Sequence, residues 1–75
     1  MSETREMEPV YAKLGRWVRR VRKSNALTQA QLAELMGLDR SSVASIETGR
    51  QRVLLHSLVE FAELMGYRLT LTKIR

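Results

Sequence analysis

Residues 28–50 place their small and apolar side chains at intervals that fit two short helices crossing at a tight turn. Ala33 and Gly37 belong to the first of these helices, and Val43 and Ile46 to the second. The stretch therefore constrains how the remaining residues can fold.

The ends of both short helices can be assigned from side-chain chemistry. Thr28 and Gln31 have the spacing of a capping box, so Thr28 is expected to cap the first helix. Gly37 is expected to end it with a positive φ. Asp39 is a suitable N-cap for a second helix over about residues 40–47.

The outward face of the second helix consists of small or hydrogen-bonding side chains rather than the Glu and Lys of an ordinary solvated helix. These residues are Arg40, Ser41, Ala44, Ser45 and Thr48. Such a face can approach another molecule closely. Two helices at this spacing have the geometry of a helix-turn-helix, whose second helix enters the DNA major groove.

The chain has 75 residues, which is one small domain, and a net charge of +5. Nine Lys and Arg oppose three acidic residues over 9–53, whereas 1–8 carry net negative charge. The positive charge is therefore concentrated around the two short helices, as binding to phosphates requires.

The residue content argues against several other classes of protein. There is no cysteine, and the single His56 cannot form a metal cluster, so no metal or cofactor is expected. Glu60 and Glu63 are explained by a solvated helix face, which leaves no basis for an enzyme. Neither a membrane span nor a signal peptide is evident, so a cytoplasmic protein is expected.

The N-terminal part is predicted to be a polar, flexible tail over residues 1–8, followed by a helix that starts at Pro9. An apolar stripe and a basic outer face alternate along this helix. The helix is expected to end near Ser24, with Asn25 adopting the left-handed backbone conformation that often follows a helix.

The C-terminal part is predicted to form a dimer interface. A fourth helix over about 54–65 is apolar on most of its circumference, so it should be buried on more than one side. Residues 67–75 alternate apolar and polar side chains as a β-strand does, and could pair with the same strand of a second copy. The expected interface residues are Leu58, Phe61, Met65, Tyr67, Leu69 and Leu71.

Residues 14–66 resemble the Xre/Cro-type helix-turn-helix family, which includes phage repressors and HipB- or HigA-like antitoxins. The resemblance rests on ordered positions over two-thirds of the chain: Leu14-Gly15, Val18, Arg22, Leu27-Thr28-Gln29, Leu32-Ala33, Gly37, Ser42-Val43, Ile46-Glu47 and Gly49. It implies an all-α, lambda-repressor-like domain of four helices over 9–66, with the C-terminal strand paired across a homodimer.

The resemblance also implies roles for particular residues. Gln29 matches a residue that grips a DNA phosphate, and Arg50 and Arg52 match the loop beside the DNA backbone. Arg40 matches a position that contacts base edges and is the candidate for a bidentate hydrogen bond to guanine. Ser41 and Ser45 match two further positions that reach base edges, and Ala44 and Thr48 lie nearby. Arg22 and Glu47 match a structural salt bridge.

The chain departs from the family pattern at three positions. Ala26 stands where a glycine is usual, so the turn is expected to rely on Asn25. Leu54 gives the fourth helix a weak N-cap. Trp17 is expected to pack against the fourth helix or the tail.

Two functions follow. The first is a homodimeric repressor that binds an inverted-repeat operator in double-stranded DNA. The alternative is an antitoxin of a type II toxin–antitoxin system, HipB-like, which binds a toxin and represses its own operon. A third possible function is that of a transcriptional activator or of a nonspecific architectural DNA-binding protein.

Overall fold

The computed structural model describes the backbone of residues 2–75 and the side chains of residues 9–75. Four helices follow one another along the chain: α1 (Ser2–Ser24), α2 (Gln29–Met36), α3 (Arg40–Glu47) and α4 (Leu55–Leu64). The predicted all-α, four-helix architecture is confirmed. Among the residues that the structure describes, no helix is both long and apolar enough to cross a bilayer.

The first helix starts earlier than the sequence predicts. It begins at Ser2 and runs through Pro9, so residues 2–8 are helical and the predicted start at Pro9 is wrong. Proline lacks the N–H of one helical hydrogen bond, which makes a start at this residue a reasonable expectation. The flexibility expected of residues 1–8 stays a prediction.

The end of α1 is built differently from the prediction, although the helix does end at Ser24. The side-chain amide of Asn25 donates to the Val21 carbonyl at 2.8 Å. The left-handed residue is Ala26, with φ of 58°, and it has the only positive φ of any non-glycine residue described. Asn25 therefore contributes a hydrogen bond at the helix end, whereas Ala26 makes the turn.

Helix α2 has the predicted ends. Thr28 and Gln31 form both hydrogen bonds of a capping box, and Gly37 ends the helix with φ of 67°. Asp39 occupies the N-cap position of α3 with extended backbone, but its side chain makes no capping hydrogen bond. Leu54 precedes α4 and provides no side-chain cap, as expected from its chemistry.

The core lies where the four helices meet and consists of buried Val18, Val21, Leu32, Ala33, Val43 and Phe61. Trp17 packs edge-on against both Phe61 of α4 and Tyr67, with ring centroids 5.5 Å apart in each pair. The predicted packing of Trp17 is confirmed. Phe61 was expected at a subunit interface, but it is 4% exposed because it fills the core of its own chain.

The C-terminal segment beyond α4 forms neither helix nor strand within the single chain described. Its first residue is held in place, because the Tyr67 N–H donates to the Ala62 carbonyl at 2.7 Å. Leu71 and Ile74 are almost fully exposed. A lone strand has no partner for its backbone groups, so pairing with a second copy stays a prediction.

Replacing Ala26 with glycine is expected to stabilise the protein by about 1 kcal/mol, because the left-handed conformation disfavours a Cβ atom. Urea unfolding at pH 7 measures the change in free energy. Ala30→Gly, in the first turn of α2, is the matched control and should destabilise, since a helical φ gains nothing from glycine. Equal effects of the two variants would contradict strain at Ala26.

Candidate nucleic-acid interface

The outward face of α3 lines one shallow depression that is open to solvent. Its walls are Arg40, Ser41, Ala44, Ser45, Thr48 and Arg50. These are six of the eight residues predicted to bind DNA; the other two, Gln29 and Arg52, lie outside it. The structure thus brings the proposed base-reading side chains and one loop arginine to a single surface.

The opposite face of α3 is fixed to the core. Val43 and Ile46 are buried, and Gly15 of α1 lies directly against the end of α3. A Cβ atom at Gly15 would come within 2.2 Å of the Ile46 carbonyl oxygen and 2.7 Å of the Glu47 carbonyl oxygen. Only glycine allows this approach, so the close packing of α1 against the end of α3 depends on Gly15.

The turn after α3 is closed by three hydrogen bonds to the carbonyl oxygen of Ser45. The donors are the Thr48 hydroxyl at 3.1 Å, the Arg50 N–H at 2.9 Å and the Gln51 N–H at 3.2 Å. The Thr48 oxygen therefore retains only its capacity to accept a hydrogen bond. The same turn directs the Arg50 side chain along the edge of the depression.

A buried ion pair joins α1 to the last residue of α3. Arg22 Nε donates to Glu47 Oε2 at 2.6 Å, and a second guanidinium nitrogen donates to Glu47 Oε1 at 3.1 Å. The third nitrogen donates to the Leu27 carbonyl at 2.7 Å. Both side chains are less than a tenth exposed. The expected salt bridge is thus present, and it also holds the turn between α1 and α2.

The environment of Glu47 determines its protonation. Burial by itself would raise the pKa of this carboxyl, but hydrogen bonds from Arg22 and Gln29, together with the charges of Arg22 and Arg19, outweigh that effect. The net pKa of Glu47 lies below its ordinary value of 4.5. The carboxylate is therefore charged at neutral pH and stabilises the fold as an anion.

Gln29 has a contact that the sequence did not predict. Its side-chain Nε2 donates to Glu47 Oε1 at 3.0 Å, so one of its two amide hydrogens is used within the protein. Arg52 lies with its guanidinium 5.8 Å from the centre of the Tyr11 ring, a cation–π distance. Two of the residues predicted to touch the DNA backbone, Gln29 and Arg52, are thus each held by a neighbouring side chain.

Arg19 is a candidate DNA-binding residue that sequence reasoning did not single out. It lines a second depression, beside the first, together with Arg22, Gln29, Ala44, Glu47 and Thr48. A signal was available, because Arg19 precedes Arg22 by one helical turn and so shares the side of α1 that meets α3. The sequence alone did not distinguish Arg19 from the other Lys and Arg residues of α1.

The surface around α3 is positively charged. Among residues 9–75, the Arg22–Glu47 pair is the ion pair that forms within 4.0 Å. Arg19, Arg40, Arg50 and Arg52 are all exposed. Exposed guanidinium groups beside the outward face of α3 attract the phosphates of a nucleic acid.

Two short helices at a tight turn, with the second exposed and surrounded by cations, define a helix-turn-helix DNA-binding domain. The family model described as helix-turn-helix matches residues 18–71, and the chain belongs to this family, in its Xre/Cro-like branch. It is a DNA-binding transcriptional regulator.

The fold is also similar to a solved structure, the restriction-modification controller protein C.AhdI from Aeromonas hydrophila. The two chains share 32% sequence identity with a TM-score of 0.75, over 83% of this chain and 90% of that one. No curated protein matches the sequence significantly.

Acid is expected to destabilise the protein through Glu47. Because the folded pKa of Glu47 is lowered, its contribution is complete above about pH 4.5 and is lost as the pH falls through the folded pKa. Urea unfolding between neutral and acidic pH measures this loss. Glu47→Gln should lower stability at pH 7 by about 3 kcal/mol and flatten the acid dependence.

Glu60→Gln, at an exposed position of α4, is the control and should retain the wild-type acid profile. A Glu47→Gln profile as steep as that of the unaltered chain would show that other carboxyl groups cause the acid loss.

Proposed function

We propose that the chain is a homodimeric, sequence-specific repressor that binds an inverted-repeat operator through α3. The observation that carries the proposal is the open depression along the outward face of α3, lined by six of the residues predicted to contact DNA. The buried ion pair supports the same proposal, since it fixes the last residue of α3 to α1.

Within each half-site, the residues divide into two groups. Arg40 is proposed to contact guanine O6 and N7, with Ser41 and Ser45 reaching neighbouring base edges and Ala44 permitting close approach. Phosphate contacts are assigned to the remaining predicted residues: Gln29, Thr48, Arg50 and Arg52. Such contacts provide most of the affinity and its salt dependence, whereas the base contacts select the sequence.

Dimerisation is supported by apolar side chains that the single chain leaves uncovered. Leu55 and Leu64 of α4 are at least half exposed, and Leu69, Leu71 and Ile74 follow in the C-terminal segment. A small domain with this much exposed apolar surface is expected to have a protein partner. A second copy on a two-fold axis would place the half-site centres ~34 Å apart, one helical turn of DNA.

Repression would follow from occupying a promoter in the cytoplasm. The similarity to a restriction-modification controller protein makes the promoters of restriction-modification genes the first operators to test. The alternative function is an antitoxin that binds a toxin through the same C-terminal segment. In that case the chain would form a complex with a different protein instead of a homodimer.

Selection from random DNA duplexes, followed by sequencing, tests the proposed function. The unaltered protein should enrich an inverted repeat with half-site centres about ten base pairs apart. Arg40→Ala should lose the preference for guanine at one position of each half-site, because the bidentate contact is removed, at a cost of about 1–3 kcal/mol.

Arg52→Ala removes the same charge outside the depression, and it should weaken binding without altering the selected sequence. An unchanged preference in Arg40→Ala would refute the base-reading role of this residue. If the unaltered protein enriches no repeat although it binds DNA, the proposal of a sequence-specific repressor fails.

The C-terminal pairing is tested by charge substitutions at two adjacent residues. Leu71→Asp should convert the dimer to a monomer in light scattering, because it would place a charge on the apolar face that the paired strands are proposed to bury. Thr72→Asp introduces the same charge on the opposite face of the proposed strand and should leave the dimer intact. Both positions are exposed in the single chain, so the fold should survive. A stable Leu71→Asp dimer would contradict the paired strands.

A further inference from the structure

The outer side of α1 carries a continuous set of positive charges. Between positions 13 and 23, every exposed residue of this helix is a lysine or an arginine. One of them, Arg19, lies beside α3 in the second depression. The other four, which line neither that depression nor the one along α3, form what we call the outer cation row: Lys13, Arg16, Arg20 and Lys23.

The outer cation row lies on the side of α1 that is turned away from α3. Its members are three or four residues apart, so they share one face and extend over about 15 Å of the helix axis. Gly15 faces the last carbonyl groups of α3. At about 100° per residue, Lys13 and Arg20 lie roughly 140–160° around the axis from Gly15. A DNA duplex that takes α3 into its groove would therefore lie against a different side of α1.

The stability of α1 does not explain the outer cation row. Like charges three or four residues apart on a helix repel each other, and each neighbouring pair in the row has this spacing. No acidic residue stands three or four positions from any member, and among residues 9–75 no member pairs with a carboxylate within 4.0 Å. Only Lys23, in the last turn, is favoured by the helix dipole. The row therefore costs stability, which favours a role in binding an anion.

The chemistry of the outer cation row fits a nucleic acid better than a protein. Its charges are evenly spaced, and no apolar side chain is exposed between them. The centre of a protein–protein interface is instead apolar and depleted of charged residues. A DNA duplex offers a regular line of phosphates, about one charge per 1.7 Å of axis. Guanidinium groups such as those of Arg16 and Arg20 match phosphate geometry.

We propose that the outer cation row binds a second DNA duplex, so that the protein bridges two duplexes. The proposal rests on the proposed binding of the first duplex through α3 and adds a further activity to it. The second contact is made to phosphates alone, so it requires no particular DNA sequence. Bridging would hold an operator close to a distant segment of DNA.

A capture experiment tests the bridging activity. One mixed-sequence duplex is biotinylated and fixed to beads, a second duplex carries a fluorophore, and protein is added at about 50 mM salt, where phosphate contacts are strong. The unaltered protein should retain the labelled duplex on the beads. Arg16→Gln combined with Arg20→Gln should reduce capture to the level seen without protein. The affinity of this variant for a single duplex, measured by fluorescence anisotropy, should be unchanged.

Arg68→Gln combined with Arg75→Gln is the matched control. Both arginines are exposed and lie in the C-terminal segment, outside α1. The control variant has the same net charge as the α1 variant and should retain capture. Circular dichroism checks that both double variants are folded, and light scattering checks that they have the oligomeric state of the unaltered protein.

Capture that survives in the α1 variant would overturn the proposal, because two protomers would then bridge the duplexes through α3. Equal losses in the two double variants would overturn it as an effect of net charge. A parallel loss of affinity for a single duplex would place the outer cation row against the first duplex and refute bridging. If fluorescent polyglutamate binds through the row but no labelled duplex is captured, the partner is an acidic protein and the proposal is wrong.

The same measurements separate bridging from the proposed repressor function. Capture that depends on the outer cation row, with no inverted repeat enriched from random duplexes, would refute the sequence-specific repressor alone. An enriched inverted repeat without capture of a second duplex would refute bridging alone.

Discussion

The hydrogen-bonded ion pair between Arg22 and Glu47 is the interaction on which the arrangement of the helices depends. Arg22 lies near the end of α1, and Glu47 is the last residue of α3. The same guanidinium also holds the Leu27 carbonyl, in the turn that leads to α2. A buried charge without its partner is strongly unfavourable, so neither residue can be lost alone without a large penalty. One pair of side chains therefore links three helices around the proposed DNA-binding surface.

The position of α3 also depends on the absence of side chains. Gly15 lets the backbone of α1 approach the last carbonyl groups of α3, and Gly49 approaches Ala12 of α1 with φ of 80°. Any larger residue at Gly15 would push the two helices apart. The ion pair gives the attraction between α1 and α3, whereas these glycines determine how closely the two can meet.

Much of the fold follows from local sequence chemistry. The capping box of α2, the glycine that ends it and the inward side chains of α3 are all set by residues within one or two helical turns. Ala26 was not predicted as the left-handed residue, because Asn25 has the better intrinsic preference and its bond to the Val21 carbonyl could not be inferred from the sequence. The same limit applies to Phe61, whose burial depends on Trp17, distant in sequence.

The candidate site was predictable in part for similar reasons. The periodicity of α3 is enough to identify the residues of its outward face, and six of the predicted side chains line one depression. Arg19 could not be distinguished from the other cations of α1 without knowing which side of that helix meets α3. The bond from Gln29 to Glu47 joins residues from two helices, and no spacing rule predicts it.

Helix α3 is held at one end and free at the other. Its last residue is bonded to α1 and α2, whereas at its first turn Asp39 makes no capping bond and Arg40 and Ser41 are exposed. Substitutions at the free end remove few contacts within the protein, so they carry little penalty in stability. If α3 reads DNA as proposed, substitutions at its first turn would change the DNA sequence that is bound while the packing of the domain stays the same.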